Sequence, residues 1–311
     1  MNTFLFKMLV LMLCMNVGVT RAAEENAMHD GSQQRPLRVI LIPADGGTEA
    51  GTKADFEPIF KAISKSYGLH FTLRVGQSYG AVVEAMANEK VDIAFFGPVS
   101  YHKARSKGAA ELLAVAVTDG KSSYYSGIFV RRDSGLMSIG DLKGKSVAFG
   151  DVNSTSSFNY PIAMLIEAGV DPVKDLGKVY LTGSHANALG ALAAGKVDGA
   201  CAAFDSFEKA VANKQIDPAK FKVLAKSAPI PYPPLAMHTK LDPAVKKQLR
   251  HAFNNIHTQK DIRPDMIRGY GGKKVDRYDA DYSETQFSKA MEALVKVTDE
   301  MVADILKKAS K

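Results

Sequence analysis

Short apolar runs alternate with helix-period stretches along this 311-residue chain, and the alternation begins twice. Residues 37–42 read as a buried strand stopped by Pro43. Apolar Phe56, Ile59, Phe60 and Ile63 then recur at helical spacing, and Gly68 supplies a stop. Strands follow at 71–75, 91–96 and 111–118, with helices at 81–88 and 100–107 between them. The pattern restarts with strands at 125–130, 146–150, 178–181, 197–203 and 222–225, and helices ending at 168 and spanning 186–194 and 206–213. A run that switches period from two to 3.6 and back builds a parallel sheet covered by helices. Two such units in one chain imply an α/β protein of two lobes with a cleft between them. Residues 118–125 and 225–235 would be the hinge strands, about which such a protein closes.

That reading divides the chain into residues 37–119 plus 231–311 for the first lobe and 120–230 for the second. A strand at 235–238 returns the chain to the first lobe, and helices at 243–256 and 283–308 complete it. Ahead of the fold, Lys7 precedes an apolar run over residues 8–19, and Thr20-Arg21-Ala22 offers a small-x-small site. This is the layout of a secretory signal peptide over residues 1–22. Cys14 within it lacks the small neighbours a lipid-modified cysteine needs. Residues 23–36 are polar and are expected to be a disordered lead-in.

Composition matters here for what it excludes. Lys+Arg total 40 against 33 for Asp+Glu, a formal charge of +7, and loss of residues 1–22 removes Lys7 and Arg21 to leave +5. That mild basicity suits an anion binder, without the arginine-rich, aromatic-interleaved stretches of a nucleic-acid binder. Cys201 is then the single remaining cysteine, in an apolar strand, so no internal disulfide forms and the thiol reads as a small buried hydrophobe. No phosphate-binding Walker loop, His-Glu-x-x-His zinc motif or Gly-x-Ser-x-Gly elbow is present. The expectation is therefore no metal, no cofactor and no catalysis.

The polar run Asn153, Ser154, Thr155 and Ser156 joins a strand to a helix. Unpaired N–H groups of the first helical turn, the helix dipole and the hydroxyls together would favour an anion there. One of the four could equally be an N-cap.

Asp151-Val-Asn-Ser-Thr-Ser-Ser157, Tyr124-Tyr-Ser126, Phe96-Gly-Pro-Val-Ser-Tyr101 and Gly183-Ser-His185 together resemble the phosphonate/phosphite substrate-binding proteins of ABC importers. The resemblance spans residues 37–260 and is weaker at 45–53. It implies a type II periplasmic binding protein fold, a Venus flytrap, holding a small phosphorus oxyanion: phosphite, a phosphonate or phosphate. It also implies permease and ATPase partners and a monomeric periplasmic protein. His185 becomes a ligand contact by this resemblance, where by itself it could be structural. Asp205 follows a strand at the crevice end of a β/α unit. Ionised, it would accept from a P–OH or ammonium group and repel sulfate, unless it only caps the next helix. Tyr101 and Tyr124 could close over a bound ion, with Ser100 and Tyr125 as lesser candidates. Tyr232 stands where aminoalkylphosphonate binders have a further acid, which favours a smaller guest. The same lobed fold could instead present its ligand to a membrane histidine kinase or chemoreceptor, and a periplasmic phosphoryl-transfer enzyme is the third class.

Overall fold

The computed structural model describes residues 28–44 and 49–310. The expected export segment, Cys14 and the start of the lead-in lie outside the described residues. Two sheets organise the rest. The first has strand order β13-β4-β12-β3-β1-β2, the second β10-β6-β9-β7-β8. Here β1 is Leu37–Leu41, β2 Phe71–Val75, β3 Ile93–Phe95, β4 Ala110–Val117, β5 Ser123–Tyr124, β6 Ser126–Arg131 and β7 Ser146–Phe149. The remaining strands are β8 Lys178–Leu181, β9 Gly199–Ala203, β10 Phe221–Lys226, β11 Ile230–Pro231, β12 Leu235–His238 and β13 Arg277–Asp279.

The two sheets share one plan. In the first, β1 lies between β2 and β3, all parallel. In the second, β7 lies between β8 and β9, again parallel. Each plan is completed by an antiparallel strand that has just crossed from the other lobe: β12 beside β3, and β6 beside β9. The sheets are therefore mixed, where alternation alone suggested parallel ones. Their central strands read as continuous apolar runs because helices cover both faces: Val39, Leu41, Ile93, Val147 and Phe149 are fully buried. Between the lobes, β5 and β11 pair antiparallel, Tyr124 opposite Ile230 and Ser123 opposite Pro231.

The helices are α1 Glu49–Tyr67, α2 Tyr79–Ala87, α3 Pro98–Ser106, α4 Tyr160–Glu167, α5 His185–Ala193, α6 Phe204–Ala212, α7 Pro243–Asn255, α8 Glu284–Glu292 and α9 Asp299–Ala309. Among the described residues no helix is long and apolar enough to cross a membrane.

Three expectations are corrected. The helix expected over 283–308 is two helices, α8 and α9, separated by residues 293–298. The second of these does not return to the first lobe. Ile305 of α9 is buried with Val170, Leu176 and Val179 of the second lobe, and Lys308 Nζ donates to the carbonyls of Val173 and Leu176 at 2.6 Å. An apolar stripe states that a helix must be covered, not which sheet covers it. Residues 28–36 are anchored rather than disordered. The His29 N–H donates to Asp92 Oδ1 (3.2 Å), and its Nδ1 lies 2.6 Å from the Pro36 carbonyl. The same carboxylate accepts two bonds from the Arg38 guanidinium, both 2.9 Å, so a fully buried Asp92 is satisfied from several sides.

His238, at the end of β12, is 2% exposed. Its Nδ1 accepts from the Lys240 N–H (3.0 Å), and its buried Nε2 has no hydrogen-bond partner. Burial pulls this imidazole below the usual 6.5, against the opposing pull of Glu89. The folded state therefore takes up this proton at lower pH than the unfolded chain, which gains it below about pH 6.5. Urea midpoints are expected to fall between pH 7 and pH 5, by at most about 1.4 kcal/mol per pH unit from this group. His238→Asn should flatten that slope.

Candidate functional site

In open α/β sheets, guests sit beyond the carboxyl ends of the strands, where the strand order reverses. Both sheets here reverse their strand order beside β1 and β7, and one pocket draws residues from just beyond both strands. It is lined by Ile42, Tyr79 and Gly97 from the first lobe and Ser154, Thr155, Ser156 and His185 from the second. Tyr124 and Pro233 of the crossings and Tyr270 complete the lining.

The chain beyond β7 is short of partners by construction. The Ser154 N–H donates to the Asp151 carbonyl (2.8 Å) and the Asn153 N–H to Asp151 Oδ1 (2.7 Å). These bonds turn the backbone into a single π-helical turn over Thr155–Asn159, in which Asn159 donates to the Ser154 carbonyl. Such turns recur at functional sites because they re-aim the residues before a helix. Ser154 is the N-cap: its Oγ accepts from the Ser157 N–H at 3.2 Å. The amides of Thr155 and Ser156 start the turn and so have no intrahelical acceptor. The capping alternative thus accounts for Ser154 and leaves its neighbours for other work.

Thr155 spans the cleft, its Oγ1 accepting from the Val99 N–H of α3 at 2.8 Å. The Ser156 carbonyl accepts from Ser126 Oγ (2.7 Å), which ties the turn to β6. His185 opens α5. The Ala203 N–H donates to its Nδ1 at 2.9 Å, so Nδ1 is the acceptor and Nε2 carries the hydrogen. Nε2 lies 3.4 Å from Ser154 Oγ. Tyr124 is 4% exposed and lines the pocket beside Ser156 and Thr155. Burial holds this phenol far above its usual pKa, so it stays protonated and able to donate.

Of the residues singled out from sequence, five meet in this pocket: Ser154, Thr155, Ser156, His185 and Tyr124. Three do not line it. Tyr101 is 1% exposed in the first lobe, its hydroxyl bonded to Glu284 of α8 and its ring against Phe287. One turn along α3 from Gly97, it faces α8 rather than the cleft. Asn153 points to the cleft rim, where its Oδ1 accepts from Lys103 Nζ at 2.7 Å. Asp205 is not a cap, since Ala203 holds that position of α6. Its carboxylate, side chain 9% exposed, faces Lys273 Nζ at 3.4 Å. Burial raises the Asp205 pKa and Lys273 opposes that rise.

Ser100 caps its own helix start, its Oγ accepting from the Gly97 N–H at 3.0 Å. Tyr125 lies under Lys226 Nζ, 3.8 Å from the ring centre. Tyr232 is 5% exposed with its ring 6.1 Å from that of Tyr124, and Cys201 is fully buried in β9 with its thiol pKa pushed up. Sequence reading missed Ile42, Tyr79, Pro233 and Tyr270. Only Tyr79, just after the cap Ser78, carried a local signal.

The pocket's chemistry is one-sided. Four helix starts point into it: α2 at Tyr79, α3 at Gly97, the turn at Ser154 and α5 at His185. Among the described residues its lining holds no Lys, Arg, Asp or Glu. Amides, hydroxyls and one imidazole N–H therefore supply positive potential without a formal cation. Among the described residues no group of His, Cys, Asp or Glu is arranged to hold a metal. The lobes are shut on the pocket. The His185 N–H donates to the Ala44 carbonyl (3.0 Å) and the Tyr79 N–H to Asp151 Oδ2 (3.3 Å). The free volume left is ≈ 10 Å³, about the room of one water, so a polyatomic guest enters with the lobes apart.

Comparison with known proteins gives the chain a family and a fold. The family model described as "ABC transporter, phosphonate, periplasmic substrate-binding protein" matches residues 47–282. The chain is 32% identical over 229 residues to the phosphate-import protein PhnD of Mycolicibacterium smegmatis, covering 70% of each. It is 27% identical over 232 residues to the phosphonates-binding periplasmic protein of Escherichia coli, covering 73% of this chain and 68% of that one. Among solved structures, PhnD1 from Prochlorococcus marinus in complex with methylphosphonate is similar in fold, with a TM-score of 0.72 at 20% identity, covering 84% of this chain and 97% of that one.

Proposed function

The chain belongs to the periplasmic phosphonate-binding proteins of ABC importers, and from that premise we propose that its pocket takes a compact phosphorus oxyanion, phosphite or methylphosphonate, through donors alone. As a member of that family it is a substrate-binding component that works with permease and ATPase subunits, not an enzyme.

The convergence of four helix starts on a pocket with no charged lining is the observation that supports this guest. A group with three clustered oxygens can accept from Thr155 and Ser156 amides, their hydroxyls, Tyr124 and the His185 Nε2–H at once. Charge-assisted bonds of this kind are about twice as strong as neutral ones. Ile42, Pro233 and the rings of Tyr79 and Tyr270 offer apolar surface to the fourth substituent, which suits a hydrogen or methyl group. The pairing of Asp205 with Lys273 leaves that carboxylate committed within the protein, which argues against an ammonium-bearing guest. We further propose that residues 1–22 are removed on export and that the chain acts as a monomer.

Isothermal titration with phosphite, methylphosphonate, phosphate, 2-aminoethylphosphonate and sulfate tests the assignment. Phosphite and methylphosphonate are expected to bind tightest and 2-aminoethylphosphonate and sulfate at least tenfold more weakly. A guest at 100 times its dissociation constant should add about 2.7 kcal/mol of stability. Tightest binding of 2-aminoethylphosphonate, or no response to any phosphorus oxyanion, would overturn it.

A further inference from the structure

Helix α6 of the second lobe meets the first lobe beside the pocket. Lys209 of α6 pairs with Asp55 of α1, Nζ to Oδ2 at 2.5 Å, with side chains 23% and 12% exposed. The charges also cross the other way. Lys273, which follows the Tyr270–Gly272 turn of the first lobe, reaches Asp205 Oδ1 and Glu208 Oε2 of α6, each at 3.4 Å. Between these pairs, the hydroxyls of Ser206 and Tyr270 share a hydrogen bond of 2.7 Å, with both residues buried. The first-lobe identity of the turn is set by packing: Ile267, Tyr270 and Val275 lie in the core with Phe56 and Phe95. Each lobe thus offers a cation to an acid of the other. Only Tyr270 of this group also lines the pocket.

We propose that these reciprocal ion pairs form a latch across the closed lobes and so help to set the affinity of the pocket. The latch rests on the closed two-lobed arrangement described above and not on the identity of the guest. Half-buried pairs attract more strongly than exposed ones because less water screens them. Two pairs of opposite sense also fix register, since sliding the lobes separates both. Where a ligand is held by the closed form, its apparent affinity scales with the closed population. Removing the latch therefore weakens binding with no change in any donor the guest meets.

The test uses dyes on Lys61→Cys of the first lobe and Met137→Cys of the second, both highly exposed positions, since Cys201 is buried and unreactive. Energy transfer then reports the distance between lobes. Methylphosphonate is expected to bring the parent protein to the closed distance. Lys209→Met with Lys273→Met should lengthen it and weaken methylphosphonate binding about tenfold, ~1.4 kcal/mol. The charge swap Asp55→Lys with Lys209→Asp, compared with either change alone, should recover closure. A double substitution that leaves both the distance and the affinity unchanged would overturn the latch. A parent protein in which no phosphorus oxyanion changes the distance, while the double substitution still lengthens it, leaves the latch standing and defeats the assignment of the guest.

Discussion

Replacing Gly150 with alanine is expected to lower oxyanion affinity about 100-fold, ~2.7 kcal/mol, without touching a pocket-lining residue. Gly150 directly follows β7, and its N–H donates to the Ser157 carbonyl at 3.1 Å, so the π-helical turn rests directly on it. A Cβ at this position would stand 2.2 Å from Ser157 Oγ, 2.9 Å from Ser157 Cβ and 3.4 Å from the Ser184 carbonyl carbon. Ser157 is fully buried and cannot swing into solvent. Overpacking of a tight site costs about 1–3 kcal/mol and moves backbone. The backbone that must move carries the Thr155 and Ser156 amides. Ser157 Oγ has no hydrogen-bond partner, so Ser157→Ala should be nearly silent alone and should partly rescue Gly150→Ala. Titration of all three variants with methylphosphonate checks this. Equal affinity for Gly150→Ala and the parent protein would show that the turn is not the seat of binding.

Thr155→Val is the second large effect, because one hydroxyl bonds across the closed lobes and, in the proposed complex, also meets the guest. The side chain keeps its volume, is 1% exposed and loses its Oγ1. The Val99 N–H at 2.8 Å is then left without its acceptor in the closed form, which costs about 1–3 kcal/mol. A donor to the oxyanion is lost as well, worth about 1.5–3 kcal/mol when the acceptor is charged. Both losses fall on the closed, liganded state, because in the open state water can satisfy the Val99 N–H. Affinity should therefore fall by two orders of magnitude or more. The melting temperature without ligand should fall by no more than the Val99 contribution. Calorimetry paired with a thermal melt separates the two, and a Thr155→Ser variant that restores both groups should recover most of the binding.

How much of this was legible in advance follows from how local each feature is. The turn from Asn153 to Ser156 could be read because its signal is continuous: an apolar strand, a polar run and a helix start within a dozen residues. Even so, Asn153 was indistinguishable from its neighbours until Lys103 came to meet it across the cleft. Tyr101 read as a cleft residue because it ends the Phe96–Tyr101 motif that carries the resemblance, yet its hydroxyl is claimed by Glu284, 183 residues away in sequence. Asp205 read as a ligand acceptor because it follows a strand at the crevice end of a β/α unit, and Lys273 claimed it from 68 residues away. Tyr270 enters the pocket from beyond the segment that carries the family resemblance, with no local pattern to announce it. The last helix shows the same limit, since an amphipathic stripe fits either sheet.

By itself the sequence determined that two β/α units would form and that one polar turn after β7 would leave amides unpaired, because these are consequences of short-range periodicity and of valences that a helix start cannot satisfy. The tertiary structure alone decided which donors look at one another and which carboxylates are already taken. Those outcomes depend on how two lobes dock, and docking is settled by contacts between residues so far apart in the chain that no local pattern encodes their meeting.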